Sequence, residues 1–298
     1  MTIPIFYHPS YSSLSLPENH RFPIEKYQLL YQFIKHELAE QFRFITPEKA
    51  SLDDISNVHC PIFVKQFVTG TLEPKAIRKM GFPWSPQLVE RTLYSIGASI
   101  QGSKLALETQ IASQISGGYH HSFPNFGSGF CIFNDLVIAA RHLLDSNLVS
   151  KVVILDLDVH QGDGSAVCAQ EMDDIVTISL HCTQNFPAKK QHSDYDFTLN
   201  KHANDQEYQT MLQRCLLTLL VEQPDIVLYN AGADIFSGDE LGYFNVSLAG
   251  VKQRDQSVIS FCVSHDIPIF TASGGGYQRN VGNLVNVHKQ LYLSMTNA

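Results

Sequence analysis

The sequence lacks most of the features that would place a chain in a specialised class of protein. Among its 298 residues no apolar run approaches the ~18 residues that a membrane span needs, and no signal peptide is evident. The six cysteines are scattered and form no Cys-x-x-Cys pair, which argues against a zinc finger and a dense disulfide framework. The net charge of −8 argues against non-specific binding of nucleic acid. We therefore expect a cytoplasmic protein with free thiols and with neither a membrane nor a nucleic acid as its partner.

The apolar residues, which make up 44% of the chain, fall in short runs that are typical of buried parallel strands. These runs are Ile3–Tyr7, Val152–Leu157, Ile175–Leu180, Asp225–Tyr229 and Ile267–Thr271. Helical patterns between them begin at Ser85, at Asn134, near Asp205 and after Ser247. This alternation predicts a single α/β domain over residues 1–298, with a central, mostly parallel sheet and helices on both faces. The functional site is then expected at the carboxyl ends of the strands.

The predicted strand Val152–Leu157 runs directly into side chains that bind metals. Asp156, Asp158 and His160 occupy alternate positions, and alternate residues of a strand point to the same face. Placing these groups together at the end of a buried strand is costly unless their charge is compensated. A divalent metal would compensate it, since carboxylate and imidazole suit zinc, iron or manganese. An ordinary turn built with Asp163 and the neighbouring glycines is the simpler alternative.

Asp234 offers a third ligand after the predicted strand Asp225–Tyr229. The small residues before it let the backbone approach neighbouring segments, although Gly-Ala-Asp often marks only a loop. Two carboxylates and one imidazole would leave open coordination positions, which is typical of a catalytic metal site. With Asp158, His160 and Asp234 as ligands, the remaining aspartates of the stretch are expected to support them.

Two adjacent histidines, His120 and His121, lie in a glycine-rich segment. A single histidine there would be interpreted as a polar loop residue, but a pair offers two imidazoles suited to proton transfer near neutral pH. Buried carboxylates orient imidazoles of this kind and shift their pKa values differently. Asp156 and Asp163 have no other evident task, so we expect them beside the histidines.

The segment Ser273-Gly274-Gly275-Gly276-Tyr277 allows three interpretations. It is a flexible turn, a phosphate cradle, or a loop that brings the Tyr277 hydroxyl over a bound carbonyl as an oxyanion donor. The phosphate cradle is the weakest of the three, because neither Gly-x-Gly-x-x-Gly nor Gly-Lys-Ser/Thr is present there. Phe130 and Phe186 would line opposite walls of a narrow apolar channel, unless Phe130 belongs to the core.

In their order along the chain, these segments resemble the zinc-dependent histone deacetylases of the arginase/deacetylase superfamily, above all class IV and its bacterial relatives. The resemblance covers nearly the whole chain. It rests on His20-Arg21-Phe22-Pro23, Gly81-Phe82-Pro83-Trp84-Ser85-Pro86, His120-His121, Gly129-Phe130-Cys131, Asp156–Gly164, Ser179-Leu180-His181, Gly232-Ala233-Asp234 and Gly274-Gly275-Gly276-Tyr277.

The resemblance implies a role for each matching residue. It implies one zinc ion per chain, held by Asp158, His160 and Asp234. It implies a proton-transfer and oxyanion set made of His121 as general base, His120 as its assistant, Asp163 and Asp156 as their hydrogen-bond partners, and the catalytic Tyr277. It implies a structural potassium ion with the ligands Asp156, Asp158, His160, Ser179 and Leu180. It implies a substrate tunnel lined by Gly129, Phe130, Phe186 and Gly275, with Arg21 near its inner end.

The implied reaction is hydrolysis of an acylated amine, most of all N-ε-acyl-lysine in a protein or peptide. Acylated polyamines are an alternative substrate for the same chemistry. A two-manganese ureohydrolase of the same general fold is disfavoured, because Phe236 stands where such enzymes carry a second aspartate. A module that binds acylated tails without cleaving them would need neither the histidine pair nor Tyr277. The length of the acyl group and the oligomeric state are left open.

Overall fold

The sheet expected from the sequence is confirmed, and it has more strands than the apolar runs indicate. The computed structural model describes residues 2–297. Within this range one sheet of eight strands has the order β2-β1-β3-β8-β7-β4-β5-β6, and all neighbouring strands are parallel. The strands are β1 (Ile3–Phe6), β2 (Phe42–Ile45), β3 (Ile111–Gln114), β4 (Val152–Asp156), β5 (Ile175–Cys182), β6 (Tyr195–Leu199), β7 (Ile226–Asn230) and β8 (Ile269–Ala272).

Seven of the ten α-helices within residues 2–297 form two layers, one on each face of the sheet. One layer contains α5 (Pro86–Thr109), α6 (Asp135–Asp145) and α7 (Asp163–Ala169), and the other contains α1 (Lys26–Glu37), α8 (Asp205–Glu222), α9 (Leu248–Ser264) and α10 (Val281–Met295). The short helices α2 (Leu52–Ser56), α3 (Pro61–Thr69) and α4 (Pro74–Met80) precede α5. None of these helices combines the length and the apolarity that crossing a membrane requires.

The expected helix starts follow from side-chain capping. Ser85, Asn134 and Ser247 each accept a hydrogen bond from a backbone N–H in the first turn of the helix that follows. Asn204 does the same for α8, which begins at Asp205 as expected. Such caps satisfy N–H groups that have no partner within the helix.

Three strands are absent from the sequence-based prediction, each for a physical reason. β2 and β6 are edge strands with partly exposed residues, so neither forms a continuous apolar run. β3 is buried, but half of it consists of Ser113 and Gln114. The sheet is also entirely parallel within residues 2–297, where the prediction was a mostly parallel one.

The centre of the sheet positions the candidate site. β8 lies between β3 and β7, and β7 lies next to β4. The loops that follow these four strands therefore leave the sheet side by side at its carboxyl edge. Pairing in register sets Asp156, the last residue of β4, opposite Asn230 of β7 and Ser179 of β5.

Candidate active site

Asp158, His160 and Asp234 form a buried cluster beyond the carboxyl ends of β4 and β7. Asp234 lies in a 3₁₀ turn, Ala233–Ile235, that follows β7. The His160 Nδ1 atom is 3.0 Å from Asp158 Oδ1 and 3.3 Å from Asp234 Oδ2. Within residues 2–297 no second group of three such side chains is placed to hold a metal.

The charges of the cluster fit a divalent cation. Burial and the neighbouring Asp158 raise the pKa of Asp234 to about 7. Burial lowers the pKa of His160, but the two carboxylates outweigh it and raise this pKa to about 10. The Asp234 Oδ2 atom is buried and accepts no hydrogen bond from the described residues. Two carboxylates and one imidazole that converge in this way match the donor set of a catalytic zinc site.

Glycine is required at two positions that pack against the cluster. A Cβ atom on Gly232 would collide with Asp158, and one on Gly275 would collide with the carboxylates of both Asp158 and Asp234. The Gly275 N–H instead donates to Asp158 Oδ2 over 3.1 Å. The glycines after β8 thus let this loop pack directly against the metal-binding residues.

His120 and His121 lie beside the cluster, and the structure brings each of them to one of the expected aspartates. The Nδ1 atom of His120 is 2.6 Å from Asp156 Oδ2, and that of His121 is 2.6 Å from Asp163 Oδ1. The two imidazole centroids are 4.0 Å apart. All four side chains are buried.

The two imidazoles differ in their affinity for a proton. Burial lowers the pKa of His120, but the carboxylates of Asp156 and Asp158 outweigh it and raise this pKa to about 9. Burial and the positive charge of His120 lower the pKa of His121 to about 4, although Asp163 opposes the shift. At neutral pH His120 therefore carries a proton, and His121 is free to accept one.

Asp135, which the sequence analysis does not single out, anchors the histidine loop. Its carboxylate accepts hydrogen bonds from the N–H groups of Gly118 and Tyr119, at 3.2 and 2.8 Å, and from the Ser99 hydroxyl at 2.6 Å. Gly117 and Gly118 have φ angles of 89° and 76°, which favour glycine. In the sequence, Asp135 is indistinguishable from an ordinary aspartate in the first turn of a helix.

A cavity of about 270 Å³, here called the mouth cavity, opens at the surface and reaches the cluster. It is lined by His121, Gly129, Phe130, His160, Asn185, Phe186, Glu240, Leu241, Tyr243 and Tyr277. The Phe186 ring lies edge-on to His121 with centroids 4.8 Å apart, and the Phe130 ring centroid is 5.7 Å from that of Tyr277. Both phenylalanines are thus placed on the walls of one cavity, as expected for a channel.

The backbone of Tyr277 is held by Asp239, a residue that the sequence analysis does not single out. Its backbone N–H donates to Asp239 Oδ2 over 2.7 Å, and Asp239 Oδ1 accepts hydrogen bonds from Leu241 and Gly242. Asp239 therefore ties the loop that carries Tyr277 to the wall of the mouth cavity. Burial raises the pKa of the Tyr277 hydroxyl, so it stays protonated and able to donate a hydrogen bond.

The expected potassium ligands lie on adjacent strands and in the turn after them. Asp156 is in register with Ser179, and Leu180 is the next residue of β5. The Ser179 hydroxyl is 3.0 Å from the His181 Nδ1 atom. A potassium ion beside the cluster of Asp158, His160 and Asp234 stays a prediction.

The expectation for Arg21 is wrong, because this residue does not lie at the inner end of the channel. Its Nη1 atom is 3.1 Å from Glu240 Oε2, and the Arg21 side chain is 35% exposed. A buried cation nearby is Lys26, whose Nζ donates to the Gly274 carbonyl over 3.3 Å and lies 6.0 Å from the Tyr277 ring centroid. Burial lowers the pKa of Lys26 to about 8, so Lys26 stays mostly protonated at neutral pH.

The chain is similar to known proteins over most of its length. Residues 20–290 match a family model described as histone deacetylase domain. The chain is 41% identical to an uncharacterized protein of Picosynechococcus sp. over 98% of both chains. It is 26% identical to histone deacetylase 2 of Arabidopsis thaliana, over 95% of this chain and 76% of that relative. It is 27% identical to histone deacetylase 1 of Homo sapiens, over 83% of this chain and 55% of that relative.

Proposed function

Because the chain belongs to the histone deacetylase family, we propose that it is a zinc-dependent hydrolase that removes acyl groups from N-ε-acyl-lysine. Family membership supports deacetylase or amidohydrolase activity, and to this we add zinc as the metal and acyl-lysine as the substrate. The observation that carries it is that a buried metal-binding cluster, the neutral imidazole of His121 and the ring of Tyr277 meet at a single cavity with aromatic walls.

We propose that Asp158, His160 and Asp234 hold one zinc ion per chain. When bound, zinc polarises a carbonyl group and lowers the pKa of a water molecule. A potassium ion held by Asp156, Asp158, His160, Ser179 and Leu180 would have a structural role.

The proton transfers would fall to the histidine pair. His121 accepts a proton from the attacking water, with Asp163 orienting its imidazole. The Tyr277 hydroxyl donates a hydrogen bond to the carbonyl oxygen as this becomes negative. The C–N bond then breaks, and the His121 imidazolium returns the proton to the leaving amine. Protonated His120 favours this return, because two adjacent imidazolium ions repel each other.

The mouth cavity fits the side chain of an acylated lysine. Phe130 and Phe186 provide apolar walls for its methylene groups. An acylated polyamine carries further positive charge, which unpaired carboxylates at the mouth would have to compensate. Glu240 instead pairs with Arg21 and Arg279 at 3.1 and 3.2 Å. A protein or peptide that contains acyl-lysine is therefore the favoured substrate.

The test compares turnover of an acetyl-lysine peptide and of an acetylated polyamine by the purified protein, with its zinc content measured in parallel. We expect about one zinc per chain, loss of turnover on chelation, recovery on adding zinc, and preference for the peptide. A zinc-loaded protein that binds the peptide without cleaving it would instead be a module that recognises acylated tails.

The oxyanion role is tested with Tyr277→Phe. We expect kcat to fall by roughly 100-fold or more, because a single oxyanion donor is lost. Tyr195→Phe is the matched control, since Tyr195 lies on the edge strand β6 and its hydroxyl donates to Glu222 at the end of α8. Its kcat should stay close to wild type. Unchanged turnover by Tyr277→Phe would remove Tyr277 from the mechanism.

A further inference from the structure

One buried arginine links the two loops that carry Asp158 and Asp234. Arg254 lies on α9 and is 1% exposed. Its Nη1 atom donates to the Leu157 carbonyl over 3.3 Å and, more closely, to the Gly232 carbonyl. Leu157 comes directly before Asp158, and Gly232 lies two residues before Asp234. A single guanidinium nitrogen therefore holds the backbone next to two of the three residues of the cluster.

The Arg254 guanidinium is itself fixed in position. Its Nε and Nη2 atoms lie 3.0 and 2.9 Å from Asp255 Oδ1. The hydroxyl of Tyr229, a residue of β7, donates to the same oxygen over 2.6 Å. Burial lowers the pKa of Arg254, but the Asp255 carboxylate outweighs it and raises this pKa, so Arg254 stays protonated. The planar set of donors thus has one orientation, towards the two carbonyls.

The two loops need such a link because their carboxylates repel each other. The ligand atoms of the cluster lie within 4.8 Å of one another. Asp158 and Asp234 must both be ionised to bind a metal, and in that state they repel at this distance. The Val159 N–H donates to Asp234 Oδ1 over 3.0 Å and restricts the rotation of this carboxylate. The bonds from Arg254 act on the backbone instead and keep the loops at a fixed separation.

A metal site binds tightly when its ligands are in position before the ion arrives. The separation of the Asp158 and Asp234 loops decides whether both carboxylates reach one ion. A Cβ atom on Gly232 would collide with Asp158, so the loops are in direct contact where Arg254 binds them. Groups that support metal ligands in this way commonly change the metal affinity by roughly 10- to 100-fold when they are removed.

We propose that Arg254 is a positioning residue of the metal site, because it holds the Leu157 and Gly232 carbonyls at the separation that zinc binding requires. This inference rests on the proposed function and adds to it a residue that does not line the mouth cavity. A purely structural role would change the stability of the protein alone. A positioning role changes the zinc affinity of the folded protein.

The experiment measures the zinc dissociation constant by competition with a chelator for wild type, Arg254→Met and Arg254→Lys. Methionine fills similar space without the donors, so we expect the dissociation constant to rise by roughly 10- to 100-fold. Lysine keeps the charge but not the planar donor set, so it should restore part of the affinity and leave a rise of roughly 3-fold or more.

Arg91→Met and Arg91→Lys are the matched controls. Arg91 is also 1% exposed, and its Nε atom donates to the Tyr11 carbonyl over 3.3 Å, in a segment that carries no residue of the cluster. These variants lose a buried guanidinium and should lose stability, with the zinc dissociation constant unchanged.

Thermal melting without metal identifies the folded variants before the affinities are compared. If Arg254→Met does not fold, Arg254→Lys decides the outcome. An unchanged zinc affinity in a folded Arg254 variant, or the same loss in the Arg91 variants, would overturn the role of Arg254 and leave the proposed function standing. A wild-type protein that binds no zinc would overturn both.

Discussion

The pairs His120–Asp156 and His121–Asp163 have the same geometry and opposite proton affinities. In each pair an imidazole Nδ1 lies 2.6 Å from a buried carboxylate oxygen. Yet the pKa of His120 is raised to about 9, while that of His121 is lowered to about 4. The difference lies beyond the pair, because the His120 Nε2 atom also faces Asp158 Oδ1 at 3.8 Å. Asp158 adds a second negative charge beside His120 to that of Asp156, whereas burial and the positive charge of His120 lower the pKa of His121 against the effect of Asp163.

A third buried imidazole, His59, shows what burial does without any carboxylate. Its Nδ1 is 3.0 Å from the Phe123 carbonyl, and its Nε2 accepts a hydrogen bond from the Asn134 N–H. Burial lowers the pKa of His59 to about 4. His121, which has one carboxylate beside it, thus has no higher pKa than His59, which has none. The positive charge of His120 opposes the effect of Asp163 on His121.

The strongest way to break the comparison is to remove each of the two imidazoles in turn. We expect His121→Ala to lower kcat/KM by roughly 1000-fold or more, because the proposed general base is lost. His120→Ala should lower it by roughly 10- to 100-fold, since His120 is proposed to act through His121 and does not line the mouth cavity. Equal losses in two variants that fold and bind zinc normally would contradict the division of roles.

His59 tests the effect of burial through stability. The pKa of His59 lies at about 4 in the folded state, against 6.5 for an unperturbed histidine, so only the unfolded state takes up this proton between pH 6.5 and 4. Stability therefore falls as the pH falls through this window, and the His59 contribution to the loss is roughly 3 kcal/mol. Glutamine does not titrate. Between pH 6.5 and 4 we therefore expect the free energy of unfolding of His59→Gln, measured by chemical denaturation, to fall by roughly 3 kcal/mol less than that of wild type.

The control for this experiment is His36→Gln, which changes an exposed histidine in α1. Its stability should follow the wild-type pH dependence. If the free energy of unfolding of His59→Gln also has the same pH dependence as that of wild type, burial does not lower the proton affinity of His59.

The finest test concerns the acidic limb of the kcat/KM profile. Asp163→Asn removes a negative charge beside His121, which lowers the pKa of His121, so we expect the limb to shift to lower pH by about one pH unit. Asp156→Asn removes the matching charge beside His120, whose pKa starts at about 9. His120 therefore stays protonated near pH 4 and still opposes protonation of His121, so the limb should move less than in Asp163→Asn. An equal or larger shift in Asp156→Asn would contradict this difference between the two pairs.

The sequence predicts those features of the fold and the site that depend on residues close together in the chain. The strands β4 and β7 are short apolar runs, and Asp158, His160 and Asp234 follow them within a few residues. Contacts between distant segments cannot be predicted in this way. The bond from Tyr277 to Asp239 joins positions 38 residues apart, and that from Lys26 to Gly274 joins positions 248 apart. Lys26 begins an amphipathic helix, where a lysine ordinarily faces solvent, so no local pattern distinguishes it from Arg21.

The position of β8 in the sheet has a consequence for the synthesis of the chain. β8 joins β2-β1-β3 to β7-β4-β5-β6, and within the described residues no other strand pairs β3 with β7. Until residues 269–272 leave the ribosome, both half-sheets expose an apolar edge that can pair with other chains. A nascent chain stalled in α9 would hold the metal ligands but lack the loop that closes over them. Chaperones that shield strand edges would therefore raise the yield of folded protein most when they act late in translation.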